Sequence, residues 1–128
     1  NTYGNVIDIF LPEKELKKQI MGIVTDSTPL EDPKDPSTCN VVTLYRLVAR
    51  PEAVAAMEAS YRAGGYGYGH AKTALFEAIL DRFAGSRAEF DRLMAQPEAV
   101  HAVLRQGADK ARPVAQATLA RLREALGF

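Results

Sequence analysis

Cysteine is almost missing from this sequence. Cys39 stands alone among 128 residues, so no internal disulfide can form, and no Cys or His lies near it at metal-ligand spacing. It reads as a small core residue. Histidine is nearly as scarce: His70 and His101 fall in different predicted helices with no Cys, Asp or Glu at matching offsets, so no metal site is expected. His70 suits a capping or pairing role near a helix start, and His101 a partly exposed surface position. Net charge is absent too. Sixteen Lys and Arg balance sixteen Asp and Glu, which argues against a nucleic-acid binder that depends on a large positive field and leaves only local clusters. No run approaches the ~20 apolar residues needed to span a bilayer, and the start lacks a basic, apolar, small-residue leader pattern; a cytoplasmic protein without a membrane partner is expected. Ser27, Ser37, Ser60 and Ser86 lie outside any nucleophile-elbow context, so hydrolase chemistry has no foothold.

What is present is a series of amphipathic segments with strong punctuation. Apolar residues make up 47% and charged residues 25% of the chain, the proportions of an ordinary globular domain. The opening Asn1-Thr2-Tyr3-Gly4-Asn5 reads as the middle of a loop, so the chain is expected to be a piece of a longer protein. Asn5 to Leu11 alternates only in part and is closed by Pro12, which suggests an extended or turn segment. Pro12 fits the first turn of a helix, with Glu13 and Glu15 at its positive end and Leu16, Ile20, Ile23 and Val24 on one face; the helix should stop by Thr25-Asp26-Ser27.

Thr28 to Thr38 contains Pro29, Pro33 and Pro36 and must be a loop. Cys39 or Asn40 then caps a short helix whose Val41, Val42, Leu44, Tyr45, Leu47 and Val48 are apolar nearly all round, which predicts a central position. Pro51 starts another helix, with Val54, Met57 and Tyr61 on its buried stripe. Gly64-Gly65-Tyr66-Gly67-Tyr68-Gly69 interrupts the helical pattern, since each Gly costs about 1 kcal/mol in a helix interior. The longest periodic segment follows, with Leu75, Ile79, Phe83, Phe90 and Leu93 as its core face and Gly85-Ser86 as a loosening in its middle. Pro97 opens a last helix with Val100, Leu104, Ala111, Val114, Thr118, Leu122 and Ala125 on one side; Pro113 should bend it and Gly127 end it. The sum is an all-α bundle of about five helices.

The glycine-rich stretch resembles a phosphate-cradling loop only superficially, because it lacks the Lys-Ser/Thr ending and follows no strand. A hinge whose Tyr66 and Tyr68 anchor it on the core is the expected role; the alternative is a stacking face for an unpaired base. Lys72, Arg82, Lys110 and Arg112 are ordinary helix charges unless a partner makes them phosphate contacts.

Several strings, in order, resemble the C-terminal part of the bacterial tryptophanyl-tRNA synthetase family, class I aminoacyl-tRNA synthetases. Thr2-Tyr3-Gly4-Asn5 is similar to the end of the family's KMSKS loop, although Asn1-Thr2 stands where a Lys and a Ser are usual. Lys14-Glu15-Leu16-Lys17-Lys18-Gln19-Ile20-Met21, followed by Ile23-Val24-Thr25-Asp26-Ser27, resembles its lysine-rich helix and Val-Thr-Asp-Ser string. Asn40 to Tyr45, Tyr61-Arg62-Ala63-Gly64-Gly65-Tyr66-Gly67, Lys72 and Gly107-Ala108-Asp109-Lys110-Ala111 continue the likeness. The tail pattern of tyrosyl-tRNA synthetases is not matched between Tyr61 and Lys72.

The resemblance implies a remnant of the KMSKS-type loop over residues 1–11 and a helical tRNA-anticodon-binding domain over 12–128. It implies a parent enzyme, expected to be a homodimer, that activates tryptophan with ATP and Mg and joins it to tRNA(Trp). The Rossmann-type catalytic domain lies outside this sequence, so this chain alone should have no catalytic residue, no cofactor and no activity. Lys72, Arg82, Lys110 and Arg112 become the candidate tRNA contacts, with Tyr66 and Tyr68 for stacking or hinge roles. A helical module that only braces a neighbouring domain without touching nucleic acid, or the equivalent region of a tyrosyl-tRNA synthetase, is the competing expectation.

Overall fold

The computed structural model describes residues 6–127, and within them five helices and no strand occur: α1 (Glu13–Met21), α2 (Asn40–Val48), α3 (Pro51–Ala63), α4 (Tyr68–Ala95) and α5 (Pro97–Leu126). The all-α expectation holds. The chain divides into two compact units, one reaching to Ala88 and the other beginning at Glu89.

In the first unit the punctuation sets the helices. Pro12 is the N-cap of α1, one position earlier than the first helical residue, and its carbonyl accepts from the Glu15 and Leu16 amides at 2.9 and 3.0 Å. Cys39 caps α2, where both the amide and the hydroxyl of Thr43 bond its carbonyl. Ala49 and Arg50 are extended, Arg50 because it directly precedes a proline, and Pro51 occupies the first turn of α3. α2 and α3 then pack against each other across this short turn.

The core joins Leu16 and Ile20 of α1, Val41, Val42 and Tyr45 of α2, Met57 and Tyr61 of α3, and Ala71, Leu75 and Ile79 of α4. Each large aliphatic or aromatic residue so buried contributes about 1.5–3 kcal/mol. Ile7, Ile9 and Leu11 lie against this core from the segment ahead of α1. The Arg87 guanidinium of α4 bonds the carbonyl of Ile9, which ties that segment down.

Three expectations change. α1 ends at Met21, so Ile23 and Val24 fall beyond it: the Gly22 amide bonds the Lys18 and Gln19 carbonyls, and that of Ile23 bonds Ile20, which tightens and closes the last turn. Ile23 still packs on the core, whereas Val24 is 79% exposed. α2 is apolar nearly all round but not central, since Leu47 is 73% exposed. α4 runs unbroken through Gly85, where a Cβ would meet nothing within 4 Å, so the glycine relieves no crowding.

The second unit holds the end of α4 and all of α5. Phe90 is exposed and Leu93 half-buried, so the core face of α4 fades along the helix. α5 runs helical through Pro113 and ends at Gly127, which has φ 80°. None of its described residues is buried, and the stripe expected to be a core face lies open.

Candidate nucleic-acid interface

The proline-rich loop folds around a lysine. Lys34 donates from Nζ to the carbonyls of Pro29, Leu30 and Asp32 at 2.8, 3.1 and 3.0 Å, and its amide bonds the Tyr61 carbonyl at the end of α3 at 2.7 Å. Only 5% of the residue is exposed. Three carbonyl acceptors satisfy the three donors that the buried ammonium has turned away from water. Its Nζ also stands 5.6 Å from the centre of the Tyr68 ring, a cation–π contact that joins the loop to the start of α4.

The glycine stretch closes over this loop. The Gly65 amide bonds the Leu30 carbonyl at 3.0 Å, and a Cβ on Gly64, at φ 79°, would lie 2.4 Å from the Glu31 oxygen. Gly64 is therefore demanded both by its backbone conformation and by close approach.

Three tyrosines pack beneath. The fully buried ring of Tyr61 lies 5.7 Å from Tyr66 and 5.9 Å from Tyr68, and its hydroxyl is 3.5 Å from Cys39 Sγ. Burial raises its pKa, and the same cause raises that of Tyr66. The Tyr68 hydroxyl donates to Asp26 Oδ1 at 2.6 Å; burial first, then this bond, pushes it up to about 12. Hydrogen bonds from Thr28 and then Tyr68 hold Asp26 down at about 2. Tyr66 and Tyr68 thus pack against Tyr61 where the glycine stretch meets the core. Tyr66 remains half-exposed, with His70 at 5.8 Å in the first turn of α4.

The four candidate cations meet different surroundings. Lys72 is half-buried and donates to the Met21 carbonyl at 3.0 Å, so it caps the C-terminal end of α1. Arg82, also on α4, is exposed and has no partner among the described residues. On α5, Lys110 is likewise exposed and unpartnered, while Arg112 pairs with Asp109 at 2.9 Å, both side chains being well exposed. Such an exposed pair is worth at most ~1 kcal/mol. Thr2, Tyr3, Gly4 and Asn5 lie outside the described residues.

Sequence reasoning passed over Lys34 and Asp26. Beside Glu31, Asp32 and Asp35, Lys34 looks like a solvated charge, and no local signal marks it as the centre of the loop. Among the described residues no group of three or more His, Cys, Asp and Glu is placed to hold a metal, and no helix is long and apolar enough to cross a membrane.

This arrangement of loop, tyrosines and helices has close counterparts. No family model matches the chain. The tryptophan–tRNA ligase of Rhodopirellula baltica is 44% identical over 127 residues, covering 99% of this chain and 40% of that protein. The ligase of Campylobacter jejuni is 41% identical over the same length, again with 40% of its length covered. The crystal structure of tryptophanyl-tRNA synthetase from Campylobacter jejuni complexed with ADP and tryptophan superimposes with a TM-score of 0.92, covering 100% of this chain and 40% of that one. The chain spans about 40% of the length of the relatives it matches. In fold, the chain matches the helical C-terminal domain of tryptophanyl-tRNA synthetase. Along 99% of its length the chain is similar to these tryptophan–tRNA ligases.

Proposed function

We propose that this chain acts within a tryptophan–tRNA ligase that activates tryptophan with ATP and Mg and attaches it to tRNA(Trp), and that residues 12–128 form the part that contacts the anticodon end of the tRNA. The observation that carries the reading is the match to such ligases along 99% of the chain at 41–44% identity. Adenylate formation needs preorganised charge around the phosphates. That charge belongs to the Rossmann-type domain supplied by the rest of the longer protein, which works as a homodimer. This chain alone has no activity, and residues 1–11 continue the KMSKS-type loop of that domain.

Unpaired anticodon bases stack on aromatic faces while scattered cations hold phosphates, so a neutral domain is adequate. Arg82 and Lys110 are the best-placed phosphate contacts because neither has a partner among the described residues. Arg112 serves once it leaves Asp109, and the open side of Tyr66 with His70 offers the stacking face. Lys72 and Tyr68 contribute by positioning, through Met21 and Asp26.

The test is binding of the chain to a tRNA transcript carrying a CCA anticodon, beside the same transcript with that anticodon changed. Selective binding that weakens with salt is expected, as is a loss of several-fold for Arg82→Ala or Lys110→Ala with helicity unchanged. Equal binding to both transcripts, or none from a fully helical chain, overturns anticodon contact and leaves the bracing role. Pyrophosphate exchange with tryptophan by this chain would overturn the placement of the active site.

A further inference from the structure

The segment ahead of α1 is held more tightly than its burial requires. Ile7, Ile9 and Leu11 pack against the core, and that contact alone would keep the segment on the helices. Hydrophobic contact has no direction, so it sets the path of the backbone only loosely; hydrogen bonds to the main chain fix it. This segment has such bonds without belonging to a strand. Gln19 Oε1 of α1 accepts from the Asp8 amide at 3.1 Å, and the Arg87 guanidinium of α4 donates to the carbonyl of the next residue, Ile9. Asp8 then turns the chain toward Pro12: its carboxylate accepts from the Phe10 amide at 2.9 Å and its carbonyl from the Leu11 amide at 3.3 Å. Two helices thus clamp two adjacent residues.

Arg87 stands at the end of a row of contacts. Lys72 bonds the Met21 carbonyl, and Lys17 Nζ lies 5.7 Å from the centre of the Phe76 ring, so advancing along α4 means retreating along α1. Arg87 continues that order about three turns beyond Phe76 and meets Ile9, ahead of the start of α1. It is half-buried, and among the described residues it has no carboxylate partner, unlike Arg46, Arg62, Arg92 and Arg112. An arginine kept for an ion pair would resemble those four. Arg87 instead directs its guanidinium at one main-chain carbonyl 78 residues away.

We infer that Arg87, assisted by Gln19, is a positioning residue for adenylate formation: it fixes the backbone at Asp8 and Ile9, the base from which the catalytic loop departs. The inference rests on the reading that residues 1–11 continue the KMSKS-type loop. Charge stabilises reacting phosphates only when it is aimed in advance, and a displacement of about 1 Å can cost ~100-fold in rate. Arg87 acts through the main chain and does not touch ATP. Phosphates belong to ATP and not to tryptophan, so ATP alone should register the loss of the clamp.

The experiment has two arms. In the 128-residue chain, Arg87→Ala should speed amide exchange at Asp8, Phe10 and Leu11 by at least ~10-fold while the amides of α2 and α3 stay unchanged. In the longer ligase that carries this chain, pyrophosphate exchange is measured per titrated active site. Arg87→Ala should lower kcat/KM for ATP ~10-fold or more and leave KM for tryptophan within ~2-fold. Gln19→Leu should produce the same split to a smaller degree, and it carries the test if Arg87→Ala fails to fold. Arg87→Lys, which can still donate to the Ile9 carbonyl, should recover most of the loss. Met57→Ala weakens the same core without touching the clamp and should leave both constants near wild type, since unfolding removes active molecules and does not change affinity for one substrate. No exchange by the wild-type ligase would overturn the proposed function and this inference with it. Exchange by the wild type, with constants for both substrates shifting together, with neither shifting, or with Met57→Ala reproducing the split, would overturn this inference alone, as would unchanged amide exchange at Asp8, Phe10 and Leu11.

Discussion

The helices up to Ala88 and the helix α5 carry the same pattern, an apolar stripe at helical spacing, yet the first set buries it and α5 leaves it open. Leu75 and Ile79 of α4 are 0% and 4% exposed, against 63% for Leu104 of α5. Periodicity therefore identifies the face that prefers to leave water but not whether anything lies over it. The hydrophobic contribution comes from area removed from water, so only the first set collects it in this chain.

The contrast can be broken at its strongest point. Tyr61→Ala empties the space shared with Tyr66, Tyr68 and Cys39 and should cost about 3–5 kcal/mol in chemical denaturation. A loss below ~1 kcal/mol would mean that the buried cluster contributes little. Lys34→Met removes one ammonium and leaves three carbonyls short of a donor, for an expected loss of about 2–3 kcal/mol, and hydrogen exchange at Gly65 should accelerate. Gly64→Ala should cost about 1–2 kcal/mol or more, since positive φ and the Glu31 oxygen oppose a Cβ together; unchanged thermal stability would refute that geometry.

Acid should act mainly on the first unit. Asp26, Asp35 and Glu58 are held below the ordinary carboxylate range, Asp35 by the Ser37 amide and hydroxyl and Glu58 by Arg46 and then Arg62. Because the folded values lie below the unfolded ones, their stabilisation is present above pH ~4 and is lost as pH falls, for Asp26 toward about 2. A pH titration of the melting temperature should show this decline, less steep in Asp26→Asn. Tyr68 works in the opposite direction: its raised value favours the fold below pH ~10 and that contribution fades as pH climbs toward about 12. The smallest effect should come from α5, where Leu104→Ala or Leu122→Ala should change the stability of the chain by no more than about 0.5 kcal/mol. A larger loss would show that α5 is covered in solution.

The helices were legible because their boundaries are local. Pro51, Pro97, Cys39 and Gly127 each act on the chain within a turn of their own position, and all four mark boundaries as expected. Gly22 was missed as the end of α1 because Ile23 and Val24 prolong the apolar pattern beyond it. The candidate site was less legible. Tyr66 and Tyr68 could be singled out from the glycines around them, but Lys34, caged by the nearby carbonyls of Pro29, Leu30 and Asp32, sits under the Tyr68 ring and against the Tyr61 carbonyl, contacts with distant segments that no local pattern encodes. Lys72 looked like a free charge for the same reason: its partner, the Met21 carbonyl, belongs to another helix.

By itself the sequence determined the class of fold, the five helices of the described residues and the likeness to tryptophan–tRNA ligases, since periodicity, capping and ordered strings of residues are properties of the chain read in one dimension. Tertiary structure alone decided which charges are free. Lys34 and Lys72 are occupied by backbone carbonyls, Arg112 is lightly paired, and Arg82 and Lys110 remain available to an outside partner. The physical reason is that a cation's availability depends on acceptors within about 3 Å of it. Those acceptors are supplied by whichever segments folding brings alongside.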